Sequence, residues 1–192
     1  MKEDDFILAS SPLNWLENAK LMHTHALHAH ELHKAKMIHI VDRKAGRMNN
    51  VTFRPVFLLA AFAFENMLKG FLIYENPELT SGGGLSKEIT KGHNLVRLAS
   101  KCKRTPSPKK SEAFFEKLQS GTNSWFRYPC PRNTSFENNE FDMTFGFWLD
   151  YQKLFNKYEK RLSHLLCSGW RDCHGRRYKA TIDSERSVLR RI

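Results

Sequence analysis

Six of the nine histidines, His23, His25, His28, His30, His33 and His39, fall within one stretch of chain. Imidazole titrates near neutral pH and ligates metal, so such a cluster raises the question of a metal centre. Helical geometry answers against it. At about 100° per residue, His25, His28 and His39 project one way and His23, His30 and His33 another, with no i,i+4 chelating pair among them. A His-rich solvated or dimer-facing helix surface is the expectation, and no metal is assigned. Cys167, Cys173 and His174 lie close together, but their spacing is not that of a zinc finger and no second CxxC pair completes four ligands. Cys102 and Cys130 read as ordinary thiols. Gly82-Gly83-Gly84 lacks the Lys-Ser/Thr of a phosphate loop, and no G-x-S-x-G elbow or HExxH is present, so no cofactor is expected.

Three segments carry more. In AAFAFENMLKGFLI, residues 60–73, the polar Glu65, Asn66 and Lys69 are set into an apolar helix. In KGHNLVRLA, residues 91–99, His93 and Asn94 stand at a helix start, where Asn94 can cap. In WFRYPCP, residues 125–131, Arg127 and Tyr128 precede Pro129 in an irregular loop. Glu, Lys and Arg near a core must contact one another, because an unpaired buried charge is costly.

In that order, an ENxLKG-like core helix, a glycine-bearing loop, a K-G-H-N-L helix start and an RYP-type loop resemble a prokaryotic subset of the HEPN family over roughly residues 50–166. The resemblance implies an antiparallel helical bundle, commonly a homodimer, in families tied to RNA cleavage, toxin–antitoxin systems, phage defence or noncatalytic nucleotide and nucleic-acid binding. It also implies a motif that is missing here. Catalytic members resemble one another in an Arg followed by four to six residues and a His, a pair able to activate a 2′-hydroxyl and stabilise phosphate. Arg161 and His164 are separated by two residues, as are Arg171 and His174, and no Arg has the required spacing. The expectation is therefore a noncatalytic nucleotide- or nucleic-acid-binding protein using Glu65, Asn66, Lys69, Asn94 and Tyr128. The alternative is a metal-independent ribonuclease with a rearranged site, in which His93 is acid or base and Arg127 or Lys69 neutralises phosphate. The bland alternative is that Asn94 merely caps, Glu65 pairs with Lys69 or Arg127, and Tyr128-Pro129 fixes a loop.

These residues need elements to hold them. Pro12 and the Gly- and Pro-free run up to Gly46 predict a first long helix, with Ser10 or Ser11 near its cap. A second helix follows Thr52–Pro55 and runs to about Tyr74, with Phe57, Ala61, Phe64, Leu68, Phe71 and Leu72 on one face and Glu65/Lys69 as an i,i+4 pair beside it. Residues 79–85 predict a flexible glycine loop. A short helix carries Leu95, Leu98 and Ala99. Residues 101–110, with five basic residues, two prolines and no acid, read as an exposed linker. Ser111 caps a further short helix ending at Gly121, and residues 122–142 read as irregular. Trp148, Tyr151, Phe155, Tyr158, Leu162 and Leu165, spaced 3,4,3,4,3, form one helical stripe, read as core rather than as a base-stacking surface.

No strand-like alternation or repeat is visible, so the fold expected is all-α: an antiparallel four- to five-helix bundle over residues 1–168, with a basic C-terminal tail over 169–192 that is partly disordered or folds on a partner. The net charge of +11 attracts phosphate backbones or anionic surfaces, and the tail offers a second route to nucleic acid. The acids at the N-terminus argue against a signal peptide. The apolar run Val56–Phe64 is too short to span a bilayer before Glu65, so no membrane segment and a cytoplasmic location are expected. Unpaired cysteine spacing fits a reducing compartment.

Overall fold

The computed structural model describes residues 2–33, 39–42, 47–50, 54–106, 108–123, 145–183 and 186–192. The protein is mostly helical. Helices α1 (Glu3–Ala9), α2 (Pro12–His33), α3 (Arg54–Glu75), α4 (Lys87–Thr90), α5 (Leu95–Lys101), α6 (Pro108–Asn123) and α7 (Phe145–Ser168) are joined by a 3-10 segment at Pro77–Gly83. Strands β1 (His39–Asp42) and β2 (Arg47–Asn50) form one antiparallel pair, and β3 (Trp170–Arg171), β4 (Arg177–Ile182) and β5 (Ser187–Arg191) an antiparallel sheet.

Helix α3 is the hub. All six residues of its predicted apolar face are at most 2% exposed, and so are five of the six on the α7 stripe, Leu165 being 6% exposed. The two stripes meet through aromatic rings. Phe64 of α3 makes edge-on contacts with Tyr151, Phe155 and Tyr158 of α7 and with Phe114 and Phe115 of α6, at centroid separations of 5.1 to 5.7 Å. This is the geometry in which the positive edge of one ring meets the negative face of another. Helix α2 closes the other side. His23 stacks on Phe155 at 4.1 Å and meets the Tyr151 hydroxyl through Nδ1 at 2.9 Å, while His30 stacks on Trp148 at 4.7 Å. Part of the histidine cluster is thus packing, not a solvated face. The α3 window that is long and apolar enough to cross a bilayer is 78% buried inside the protein.

Several expectations are corrected. The first helix does not run to Gly46. The chain bends after α1, where Ser10 Oγ and Asn14 Nδ2 donate to the last carbonyls of that helix, and α2 begins on Pro12 and ends at His33. His39 lies on β1, opposite Asn50. The glycine segment is a 3-10 turn with Gly82 and Gly83 at positive φ, a conformation glycine adopts without a Cβ clash. Within residues 101–110, Cys102 and Thr105 are buried, and the Glu75 carboxylate accepts from the Lys103 and Arg104 amides at 2.8 and 2.7 Å. Ser111 is buried inside α6, which starts at Pro108. The irregular stretch 122–142 lies mostly outside the described residues.

The chain is not all-α, and 169–192 is not a loose tail. Gly169, at φ 123°, turns the chain out of α7, and Trp170, Tyr178 and Ala180 join the main core. Asp172 closes the β3–β4 turn. Its carboxylate accepts from the His174 and Arg176 amides and from Arg176 Nε, and Arg176 also reaches Asp4 on α1 at 2.6 Å. Burial alone raises the Asp172 carboxyl, but these hydrogen bonds and the adjacent guanidinium outweigh it and hold the group below the usual carboxylate range.

Phe64→Ala should destabilise the protein by about 3–5 kcal/mol in denaturant unfolding, and Phe64→Leu by clearly less, because the alanine leaves a cavity among five rings. Burial against α7 lowers the His23 imidazole to about 4. An unfolded histidine protonates near pH ~6.5, so stability from neutral His23 is intact above that pH and is lost as pH falls toward 4. Melting temperature should therefore drop between pH 7 and pH 4.5, with a shallower slope in His23→Gln. Equal slopes would show that His23 is not the linked group.

Candidate functional site

Glu65 sits one residue beyond Phe64, so the packing that buries the ring also sets the carboxylate. It is 8% exposed, yet it is not alone: Lys69, one turn on and 5% exposed, donates from Nζ to Glu65 Oε1 at 2.7 Å. A buried carboxylate and ammonium are each costly, and pairing at i,i+4 is what makes them tolerable in an apolar helix. The Trp15 ring of α2 lies 5.5 Å from the Lys69 ammonium and supplies its electron-rich face.

The same Glu65 oxygen takes a second partner, His93 Nδ1, at 2.9 Å. His93 comes from the turn between α4 and α5, and two neighbours fix that turn. Gly92 is required because a Cβ there would meet the Glu88 carbonyl at 2.6 Å. Asn94 caps α5 by accepting from the Arg97 amide at 2.8 Å, and Gln119 of α6 accepts from the Leu95 amide at 2.6 Å. A cross-link from Lys101 to Glu88 ties α5 back to α4.

The protonation pattern follows from donor counting. A carboxylate oxygen beside Lys69 can only accept, so His93 must carry its proton on Nδ1. Its Nε2 has no hydrogen-bond partner among the described residues, and the side chain is 62% exposed. The outcome is an imidazole held by a buried carboxylate, with its second nitrogen open to solvent as a base when neutral and a donor when charged.

Of the residues expected from sequence, Glu65, Lys69 and His93 come together. Asn66 does not join them. Its amide donates to the Phe62 carbonyl and its oxygen accepts from Asn18 at 2.9 Å, locking α3 to α2. Asn94 has its side-chain oxygen engaged in the cap. Arg127 and Tyr128 lie outside the described residues. Trp15, Gly92 and Gln119 join the site beyond the residues expected from sequence. Gly92 had a legible signal in its place directly before His93, whereas Trp15 and Gln119 reach it only through tertiary packing. Among the described residues no three His, Cys, Asp or Glu side chains gather to hold a metal ion. Cys102 donates to the Leu98 carbonyl, and burial pushes its thiol well up, the opposite of a reactive cysteine.

Glu65→Gln keeps the shape but leaves the Lys69 ammonium buried without its counter-charge. It should cost about 3–5 kcal/mol of stability, and in the folded fraction His93 should lose its preference for the Nδ1–H tautomer, read from ¹⁵N shifts of the ring. Compared with family models, curated proteins and solved structures, the chain matches none of them, so the geometry of Glu65, Lys69 and His93 carries the functional reading.

Proposed function

We propose that this chain is a HEPN-like helical protein that binds a nucleotide or nucleic acid at the surface where His93 meets Glu65 and Lys69. Its role is regulatory, in a prokaryotic stress, mobile-element or defence setting. One observation carries the reading: an exposed imidazole anchored by a buried carboxylate is a pre-oriented polar group facing solvent, which is what a recognition site needs and a packing histidine does not. The net charge of +11 favours an anionic ligand. The absent Arg-x4-6-His pattern favours binding over cleavage.

A second reading has its own support. The forced Nδ1–H tautomer leaves Nε2 as a proton acceptor, the state a general base requires, so the cluster also suits a metal-independent ribonuclease. In that case Lys69 is a poor phosphate ligand, since it is buried and held by Glu65, and the neutralising cation falls to Arg127.

The two readings separate in one experiment on the purified chain, using a fluorescent oligoribonucleotide in EDTA. The binding reading expects intact RNA, with affinity weakened about ten- to hundredfold in His93→Ala for the loss of one charge-assisted hydrogen bond. The melting temperature should change little, because the ring is exposed. Cleavage by the wild type that disappears in His93→Ala replaces binding with catalysis. Neither binding nor cleavage by the wild type removes both.

A further inference from the structure

The C-terminal end of α3 and the β3–β4 hairpin enclose an open cleft of about 430 Å³, whose lining includes Tyr74, Glu75, Arg104, Trp170, Arg171 and Arg177. Three guanidinium groups thus converge from three segments: the turn after α5, β3 and β4. Arg171 and Arg177 are direct cross-strand partners. Like charges placed opposite one another destabilise a ladder unless something neutralises them.

Nothing among the described residues does. Arg104 rests over the Tyr74 ring at 5.7 Å, Arg171 Nη1 makes only a long 3.4 Å contact with the Gly175 carbonyl, and the Arg177 guanidinium packs against Gly169. Glu75 is the one acid in the lining, and both its oxygens already accept backbone amides. The adjacent Arg176, by contrast, is matched to two carboxylates, Asp172 and Asp4. Trp170 forms part of the cleft wall. It is 2% exposed, and its indole Nε1 is buried without a hydrogen-bond partner. The cleft is therefore rich in donors and its carboxylate is engaged. Its volume falls in the range of small-molecule sites, and the planar forks of arginine match phosphate oxygens.

We propose that this cleft binds a phosphate ester of about mononucleotide size, its phosphoryl group held between Arg171 and Arg177 with Arg104 closing the third side. The site is separate from the His93 cluster. Tyr74 lies nine residues beyond Glu65, about 14 Å along α3 and half a turn around it, so the proposal stands whatever ligand His93 takes.

The test is isothermal titration of the full chain at fixed ionic strength with inorganic pyrophosphate, adenosine 5′-monophosphate and adenosine. Both phosphates should bind and adenosine should not. Arg177→Gln should weaken both about ten- to hundredfold, the loss of a hydrogen bond between charged groups. Arg171→Glu should abolish binding while raising the melting temperature of the unliganded protein, because it turns a repelling pair into a cross-strand ion pair. A 5′-phosphorylated oligoadenylate that binds more tightly than the monophosphate, and weakens in both arginine variants, assigns the cleft to a strand terminus; equal affinity assigns it to a free nucleotide. The proposal is overturned if the wild type binds neither phosphate, if adenosine binds as well as its monophosphate, or if binding survives undiminished in both arginine variants.

Discussion

The edge-on packing of Phe64 among the rings of α6 and α7 is the contact on which the rest of the molecule depends. A helix as apolar as α3 can rotate about its axis at little hydrophobic cost, since most faces would bury equally well. Five rings in edge-to-face contact with one phenyl ring remove that freedom, because edge-to-face geometry is directional where burial is not. Once Phe64 is fixed, Glu65 is set about 100° around the helix and Lys69 one turn beyond it. The chemistry of the site begins as a consequence of core packing.

Placing that carboxylate inside the protein has no evident benefit for stability. Replacing a buried ion pair by apolar side chains of similar volume is often neutral or stabilising. What apolar residues cannot do is hold an imidazole, and Glu65 spends one oxygen on both Lys69 and His93. Lys69 donates to Glu65, Glu65 fixes the His93 tautomer, and Gly92 with the Asn94 cap fixes the backbone that delivers His93. The pair makes sense as support for an exposed ring more readily than as a source of stability.

The helical part of this arrangement was legible because it rests on local periodicity. The α3 face and the α7 stripe both repeat at helical spacing, and their residues are buried together. The Asn94 cap was legible for the same reason, being a local backbone need met by a local side chain. The sheet was not read, although Arg177-Tyr178-Lys179-Ala180-Thr181 alternates polar and apolar and the structure exposes and buries it in that alternation. Its charge invited a reading as solvated tail. The outweighing contribution came from pairs far apart in sequence, such as Arg176 with Asp4, which no window of sequence reveals. Distance in sequence also hid Trp15 behind Lys69 and Gln119 behind Leu95, whereas Glu65 and Lys69 were adjacent on one helix turn. The absence of Gly and Pro up to Gly46 shows only that a helix is permitted, whereas α2 spans Pro12–His33; the β1–β2 strands are four residues each, too short to display a period.

The same long-range pairs change what the charge of +11 means. Several acids in this fold are engaged by internal partners. Glu65 serves Lys69 and His93, Glu75 accepts two amides, Asp172 and Asp4 neutralise Arg176, and Glu17 holds Lys20 and Ser187. A carboxylate turned toward backbone amides or a half-buried guanidinium projects little field into solvent. Cations such as Arg171 and Arg177 stay exposed and without a carboxylate partner among the described residues. The field that a ligand meets is therefore more local than the difference between basic and acidic residues indicates. It is concentrated where β3 and β4 place two arginines face to face, because a two-stranded ladder fixes side-chain positions that a disordered basic tail of the same composition would let drift apart.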